Sequence, residues 1–217
     1  MNTAINTKSP AARGFGRLVG SVFLFAALFF LGHSSYAAGL SAEEKKTLQQ
    51  GGIVKRTFDL DLPQGDCIGG LAYVIIPAQP KEVMAILLEP ASYAHIFPLT
   101  QEATLVGREG DDFFITLRQG GRTVSGEYTV RARRESASLV RFWLDPSRPH
   151  DIDDVWGYFR ADPAEGGKTL LSYGALLHLE MGLIKFLFQE KIRSYALEIP
   201  ALLRGYVEER RLAKPER

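Results

Sequence analysis

Residues able to do acid–base, nucleophilic or metal chemistry are few and scattered. The chain holds 4 histidines and 1 cysteine. Once a leader ending at Ala37 is removed, His95, His150 and His178 remain. They fall on different segments with no HxxxH or HxH spacing, so no metal site is expected. His178 alternates with Ser172 and Gly174 and is expected to face water. His95 lies in a short helical stretch and is a candidate polar contact at a pocket mouth. His150-Asp151-Ile152-Asp153-Asp154 is dense enough in carboxylates for calcium or acid–base chemistry. It lacks the central glycine and distal Glu of a calcium loop, and after Pro146 and Pro149 it reads as a solvated hairpin turn. Cys67 has no evident cationic or basic partner to form a thiolate, so it reads as a spectator. A single cysteine allows no intramolecular disulfide. GxSxG, a Gly-rich phosphate loop and a dinucleotide fingerprint are all missing, so no catalytic residue and no cofactor are assigned.

The aromatic residues say more. Phe113, Tyr128, Phe142, Phe159 and Tyr173 each fall in the apolar half of an alternating segment. Together with His95, Phe97, Leu187 and Tyr195 they are the candidate ligand contacts. Such a lining suits a flat or ring-bearing apolar ligand, with tyrosine hydroxyls orienting its polar end. Any one of them is equally well read as an ordinary core aromatic. Arg118, Arg131 and Arg133 fall in the polar halves and are expected in solvent.

These side chains need a scaffold. Met181 to Arg211 reads as one helix, with Phe188, Ile192, Tyr195, Ile199, Leu203 and Tyr206 spaced 4, 3, 4, 4 and 3 apart on one stripe. Glu190, Arg193, Ser194, Glu198, Arg204 and Glu208 take the opposite side, with Leu197 the exception. About 30 helical residues span roughly 45 Å, enough to cross a small domain. Pro200 removes one rung of that helix, so a kink and a hinge are expected there. Met181 to Phe188 is apolar almost all round. It fits a buried helix start, a cavity mouth or a membrane contact during ligand transfer.

Before the helix come strands. Ile53–Leu60 and Gly69–Pro77 are strand-like, two short helices follow at Pro80 and at Ala91–Phe97, and Pro90 and Pro98 stop them. Glu102–Arg108, Phe113–Arg118, Val124–Arg133, Leu139–Leu144, Val155–Arg160 and Thr169–Leu179 are then separated by turn signals. Alternation along each predicts an antiparallel sheet dry on one face and wet on the other. One long amphipathic helix across the concave side would cover both apolar faces. Gly126, Ala132, Gly157 and Ala175 fall in the inward set, where a solid core would carry bulk, so a cavity of some hundreds of Å3 is expected.

The N-terminal 37 residues read as an export signal: Arg13 and Arg17, an apolar run Leu18–Leu31, then Ser35-Tyr36-Ala37 as a cleavage site. The run of 14 residues falls short of the ~20 that span a bilayer. Uncleaved, residues 18–31 would be an inner-membrane anchor. Leu40–Gln50 reads as a helix with Ser41 and Glu44 as capping box, ended by Gly51-Gly52. Removing Lys8, Arg13 and Arg17 from 26 basic residues leaves 23 against 25 acidic ones, a balance of −2. That argues against a nucleic-acid surface.

Three stretches carry a family resemblance. Gly70 to Leu87, Ser92-Tyr93-Ala94-His95-Ile96-Phe97-Pro98, and Gly157–Pro163 with Gly166–Tyr173 resemble the first strand and helix, the second helix, and the last hairpin of START-type proteins. That helix-grip superfamily includes birch-pollen-allergen-like proteins, polyketide cyclases and coenzyme-Q-binding proteins. The resemblance spans roughly 69–212 and implies an α+β fold: about seven strands of curved antiparallel sheet wrapped on a C-terminal helix, with two short helices after the first strand. Residues 1–37 would be leader, 38–68 an N-terminal helix and strand extension, and 69–213 the START-type domain. It implies a hydrophobic small molecule or lipid as partner; with the export signal and the apolar Met181–Phe188 stretch, a periplasmic or secreted carrier in transient membrane contact is expected. The alternatives are a cyclase- or dehydratase-like enzyme on a ring-type substrate, and a membrane-tethered interaction module. No catalytic set of the cyclases maps onto these residues.

Overall fold

The computed structural model describes residues 39–62, 65–121, 125–178 and 182–213, with backbone alone for 59, 61–62, 65–66 and 182–189. The leader lies outside the described residues. Among the described residues no helix is long and apolar enough to cross a membrane.

Helix α1 (Ala42–Gln49) starts on the expected capping box, with Glu44 N–H donating to Ser41 Oγ at 3.2 Å and Ser41 N–H to Glu44 at 2.7 Å. Glu44 also takes both Nε (2.8 Å) and Nη2 (2.6 Å) of Arg56, which pins α1 to β1 (Ile53–Leu62). The remaining elements are β2 (Gly65–Ile76), α2 (Pro80–Leu87), a single 3-10 turn leading into α3 (Tyr93–Ile96), β3 (Thr100–Glu109), β4 (Asp112–Gly120), β5 (Ser125–Arg134), β6 (Leu139–Leu144), β7 (Asp154–Ala164), β8 (Lys168–His178) and α4 (Gly182–Leu212). Pro80 at the first turn of α2 loses no helical bond.

All strand pairings are antiparallel, in the order β1-β2-β8-β7-β6-β5-β4-β3. The sheet therefore has eight strands rather than about seven: Ile53–Leu62, assigned above to the extension, pairs with β2 from Ile53↔Val74 to Leu62↔Gly65. The result is an α+β fold with a curved open sheet and a long C-terminal helix. Register sets the inward rows. Phe113, Ala132, Phe142, Gly157 and Ala175 are successive partners across β4 to β8, and so are Val140, Phe159, Tyr173 and Ala72 across β6, β7, β8 and β2.

Helix α4 runs unbroken through Pro200. Leu197, Leu203 and Val207 join Ala72, Val74, Ile76, Val83, Met84 and Leu87 in one buried cluster. Leu197 is therefore no exception; it belongs to the helix's most buried side. Arg193, placed above on the polar side, is buried at 7% exposure, and its Nη1 donates to Glu190 at 2.6 Å. The helix is buried over a wider arc than a single stripe, so a residue one position from the stripe is covered too. His178 is likewise buried, not in water. Its outward-facing neighbours Leu170, Ser172 and Leu176 are buried as well, so β8 is dry on both faces. Central strands covered on both sides break the one-wet-face rule.

Candidate functional site

Between α4 and strands β4 to β8 lies a cavity of about 820 Å3. Its walls are assembled row by row. Leu117 and Gln119 come from β4, Tyr128, Val130 and Ala132 from β5, Phe142 from β6, Phe159 from β7, Tyr173, Ala175 and Leu177 from β8, and Ile192, Tyr195, Ala196 and Ile199 from α4. The space exists because Gly126, Ala132 and Ala175 put no bulk into it. Gly157 acts differently: a Cβ there would stand 2.5 Å from the Phe142 ring and 2.2 Å from the Gly174 carbonyl oxygen. The missing methyl lets Phe142 lie flat against β7 and become wall.

Phe97, Phe142, Phe159 and Tyr173 form one ring cluster, with centroids 4.8 Å apart for Phe159–Tyr173, 5.6 Å for Phe142–Phe159, 6.1 Å for Phe97–Phe159 and 6.5 Å for Phe142–Tyr173. Of the nine sequence candidates, Phe97, Tyr128, Phe142, Phe159, Tyr173 and Tyr195 line the cavity. His95 does not: it is exposed and stacks on Tyr206 at 5.0 Å with 9° between the planes. Phe113 is buried in the core under the Arg108 guanidinium; it shares a row with the lining residues Ala132, Phe142 and Ala175 but sits at that row's β4 end, outside the lining. The side chain of Leu187 lies outside the described residues.

Several lining residues were not among the candidates. Gln119 continues the alternation Phe113, Ile115, Leu117 by one step, so extending β4 past Arg118 would have found it. Tyr93 opens α3, the short helix that holds His95 and ends at Phe97. Leu99 gave no signal. It lines the cavity at 49% exposure in the left-handed region (φ 60°), its carbonyl accepting from Gly120 N–H at 2.9 Å. A leucine held there stores strain beside the opening. Leu99, Gly121, Ser125, Asp151 and Lys191 are the exposed lining residues and mark the mouth.

Polar groups in the lining are few. Tyr93 O–H donates to the Leu87 carbonyl at 2.8 Å. Tyr128 O–H donates to Gln119 Oε1 at 2.6 Å, and Gln119 Nε2 donates to Thr100 Oγ1 at 2.8 Å. Burial pushes the ionisation of Tyr93, Tyr128 and Tyr173 well above the usual phenol range, so all three stay neutral. Asp151 is the one carboxylate among the described lining residues. It sits at the mouth and accepts from Glu127 N–H at 2.8 Å. The rest of the acidic loop ties itself down: His150 Nδ1 meets the Ile152 carbonyl at 2.8 Å, and Asp154 accepts from Val155 N–H at 2.8 Å.

Reactive groups outside the cavity are placed on the outer face. Cys67, His178 and Asp154 are direct partners across β2, β8 and β7, with Cys67 buried. Among the described residues no group of three or more His, Cys, Asp or Glu side chains is arranged to hold a metal ion. Arg131 and Arg133 lie outside, as expected, but both are tied to the buried Asp112 of β4.

A curved antiparallel sheet, two short helices after its strand β2, and a long C-terminal helix closing an apolar cavity decide the architecture. This is the helix-grip fold of START-type proteins. Solved helix-grip structures superpose over most of their length. A STAR-related lipid transfer protein of Xanthomonas axonopodis matches with TM-score 0.61 and 11% identity, over 72% of this chain and 93% of that one. The Zhui aromatase/cyclase of Streptomyces sp. R1128 matches with TM-score 0.55 and 14% identity, over 72% and 96%. A START superfamily protein of Mycobacterium smegmatis matches with TM-score 0.52 and 15% identity, over 72% and 97%. At these identities the likeness concerns the helix-grip architecture. No protein-family model and no curated protein sequence matches the chain.

Proposed function

We propose that the protein is a carrier that holds a hydrophobic small molecule or lipid between its sheet and α4. The observation that carries this reading is the 820 Å3 apolar cavity, whose volume lies within the range of small-molecule sites. Binding draws on buried apolar area, at about 25 cal/mol per Å2. The aromatic cluster favours a ring-bearing guest, and the named lipid transfer protein among the structural neighbours is in keeping with a carrier. The aromatase/cyclase neighbour keeps a catalytic reading in view. Against it stand the exposed position of Asp151 and the stacking of His95 on Tyr206, which leave the interior without an acid–base pair among the described residues.

The carrier would act in the periplasm or after secretion. Arg13, Arg17, the Leu18–Leu31 run and Ser35-Tyr36-Ala37 support that. The all-round apolar Met181–Phe188 stretch supports a brief membrane contact during loading.

Native mass spectrometry of protein purified from its own cell envelope tests the binding. The expected spectrum shows a mass above that of the bare chain, and the bound species extracts into organic solvent. A bare chain mass with no extractable lipid, together with no uptake of Nile red, would end the reading. N-terminal sequencing tests export, with Ala38 as the expected first residue.

A further inference from the structure

The cavity's polar end points to one chemical feature of its guest. Three buried tyrosines line the interior. Tyr93 and Tyr128 spend their hydroxyl protons on protein acceptors, Leu87 O and Gln119 Oε1. The Gln119 amide is itself held by Thr100. Tyr173 is different. It is only 3% exposed overall and lines the cavity, and unlike the other two its hydroxyl makes no hydrogen bond to another described residue. Its ring is fixed by Phe159 at 4.8 Å and Phe142 at 6.5 Å, so the hydroxyl cannot swing far to find one. The hydroxyl opens on the cavity rather than being sealed in the core, so it stands as a donor toward the cavity's contents. A hydroxyl so placed is partnered when the cavity is filled.

The charge of the guest follows from the same inventory. Lys191 is the one cationic side chain among the described lining residues. It is exposed at the mouth, over the Tyr195 ring at 5.7 Å. A carboxylate or phosphate lodged beside Tyr173 would be buried without a counter-charge, which is strongly unfavourable. A neutral oxygen meets no such penalty.

We propose that Tyr173 is the specificity residue of the cavity, donating its hydroxyl proton to a neutral carbonyl oxygen on a ring-bearing guest. This rests on the cavity being a binding site, as proposed above. The carbonyl-bearing ring lies against Phe97, Phe142 and Phe159, and any charged or extended tail leaves by the mouth between Asp151 and Lys191.

Three fluorescent probes of one shape test it on the full chain: pyrene, pyrene-1-carboxaldehyde and pyrene-1-carboxylate. Pyrene affinity reports the apolar cavity alone. The aldehyde is expected to bind about fivefold tighter than pyrene, the worth of one net hydrogen bond, and the carboxylate more weakly than pyrene. In Tyr173→Phe the aldehyde's advantage disappears while pyrene affinity stays. The melting temperature of Tyr173→Phe does not fall, because the lost hydroxyl had no partner in the empty protein. If pyrene binds and the aldehyde gains nothing, or the gain survives Tyr173→Phe, or the carboxylate binds best, the tyrosine assignment is overturned and the cavity reading stands. If none of the three binds, both are overturned.

Discussion

Helix α4 meets the sheet in two ways along its length. Downstream, Leu203 and Val207 interlock with Ala72, Val74, Ile76, Val83, Met84 and Leu87, all nearly inaccessible. Upstream, Ile192, Tyr195, Ala196 and Ile199 look across an open space at Ala132, Ala175 and the aromatic cluster. Both ends set α4 on the sheet, and at the packed end Val83, Met84 and Leu87 of α2 close in as well. What differs is that α2 and branched aliphatics fill the packed end, while Gly126, Ala132 and Ala175 leave room at the other. The lesson is that hollowness is encoded by a few small residues, and that the packed end must hold the element while the open end leaves it unsupported.

The comparison can be broken most forcefully at the packed end. Leu203 has no exposed surface, and Leu203→Ala is expected to lower stability by about 2–5 kcal/mol in urea unfolding. A cost under about 1 kcal/mol would mean this end is not close-packed. At the open end, Ala175→Phe adds bulk where there is room. It is expected to change stability by less than about 1.5 kcal/mol while lowering Nile red affinity by about tenfold, or ~1.4 kcal/mol. Equal destabilisation at the two sites would erase the distinction.

A third prediction concerns the strands that carry the open wall. Asp112 joins β4 to Arg133 and Arg131 of β5, and the Arg133 hydrogen bonds above all hold its carboxyl down to about 2, from an ordinary value of 3.8. A lowered carboxylate pKa stabilises the fold above the unfolded value. That contribution is full above about pH 4 and fades as pH falls toward 2. Asp112→Asn is expected to lower the melting temperature at pH 7, and to flatten its fall between pH 4 and pH 2. An unchanged slope in that window would mean the pairing adds nothing. The smallest effect is at the rim. Leu99→Gly relieves the left-handed backbone and is expected to raise stability by up to about 1 kcal/mol, with probe affinity within a factor of about two because the interior rows are untouched. Thermal melts and dye titration check both parts.

Much of this was legible in the sequence, for definite reasons. Two-residue alternation from Gly126 to Ala132 and from Leu171 to Leu177 matches the inward rows, because a pleated strand allows no other period. Ser41 with Glu44 announced α1, since the capping box is local. The small inward residues announced the cavity. Long-range placement was not legible. His95 meets Tyr206 across the fold, and nothing near either residue records that. Phe113 alternates as inward as Tyr128, yet it sits at the β4 end of its row, outside the lining, and alternation gives the face of a strand and not how far the cavity extends across the sheet. The burial of His178 did leave a trace: Leu170 and Leu176 are apolar on the face read as wet, which marks a strand covered on both sides.

Pro200 has an effect on the backbone that reaches beyond its own position. Proline carries no amide hydrogen, so the carbonyl of Ala196, one turn earlier and in the cavity wall, has no donor at the usual place in α4. The gap divides the hydrogen-bond ladder between the length over the open space and the length seated on the core. Loosening that starts upstream breaks one bond fewer before it reaches the seated turns. For the carrier proposed above, the roof is therefore the part of the cavity wall that opens at least cost, while the floor and the far wall stay folded.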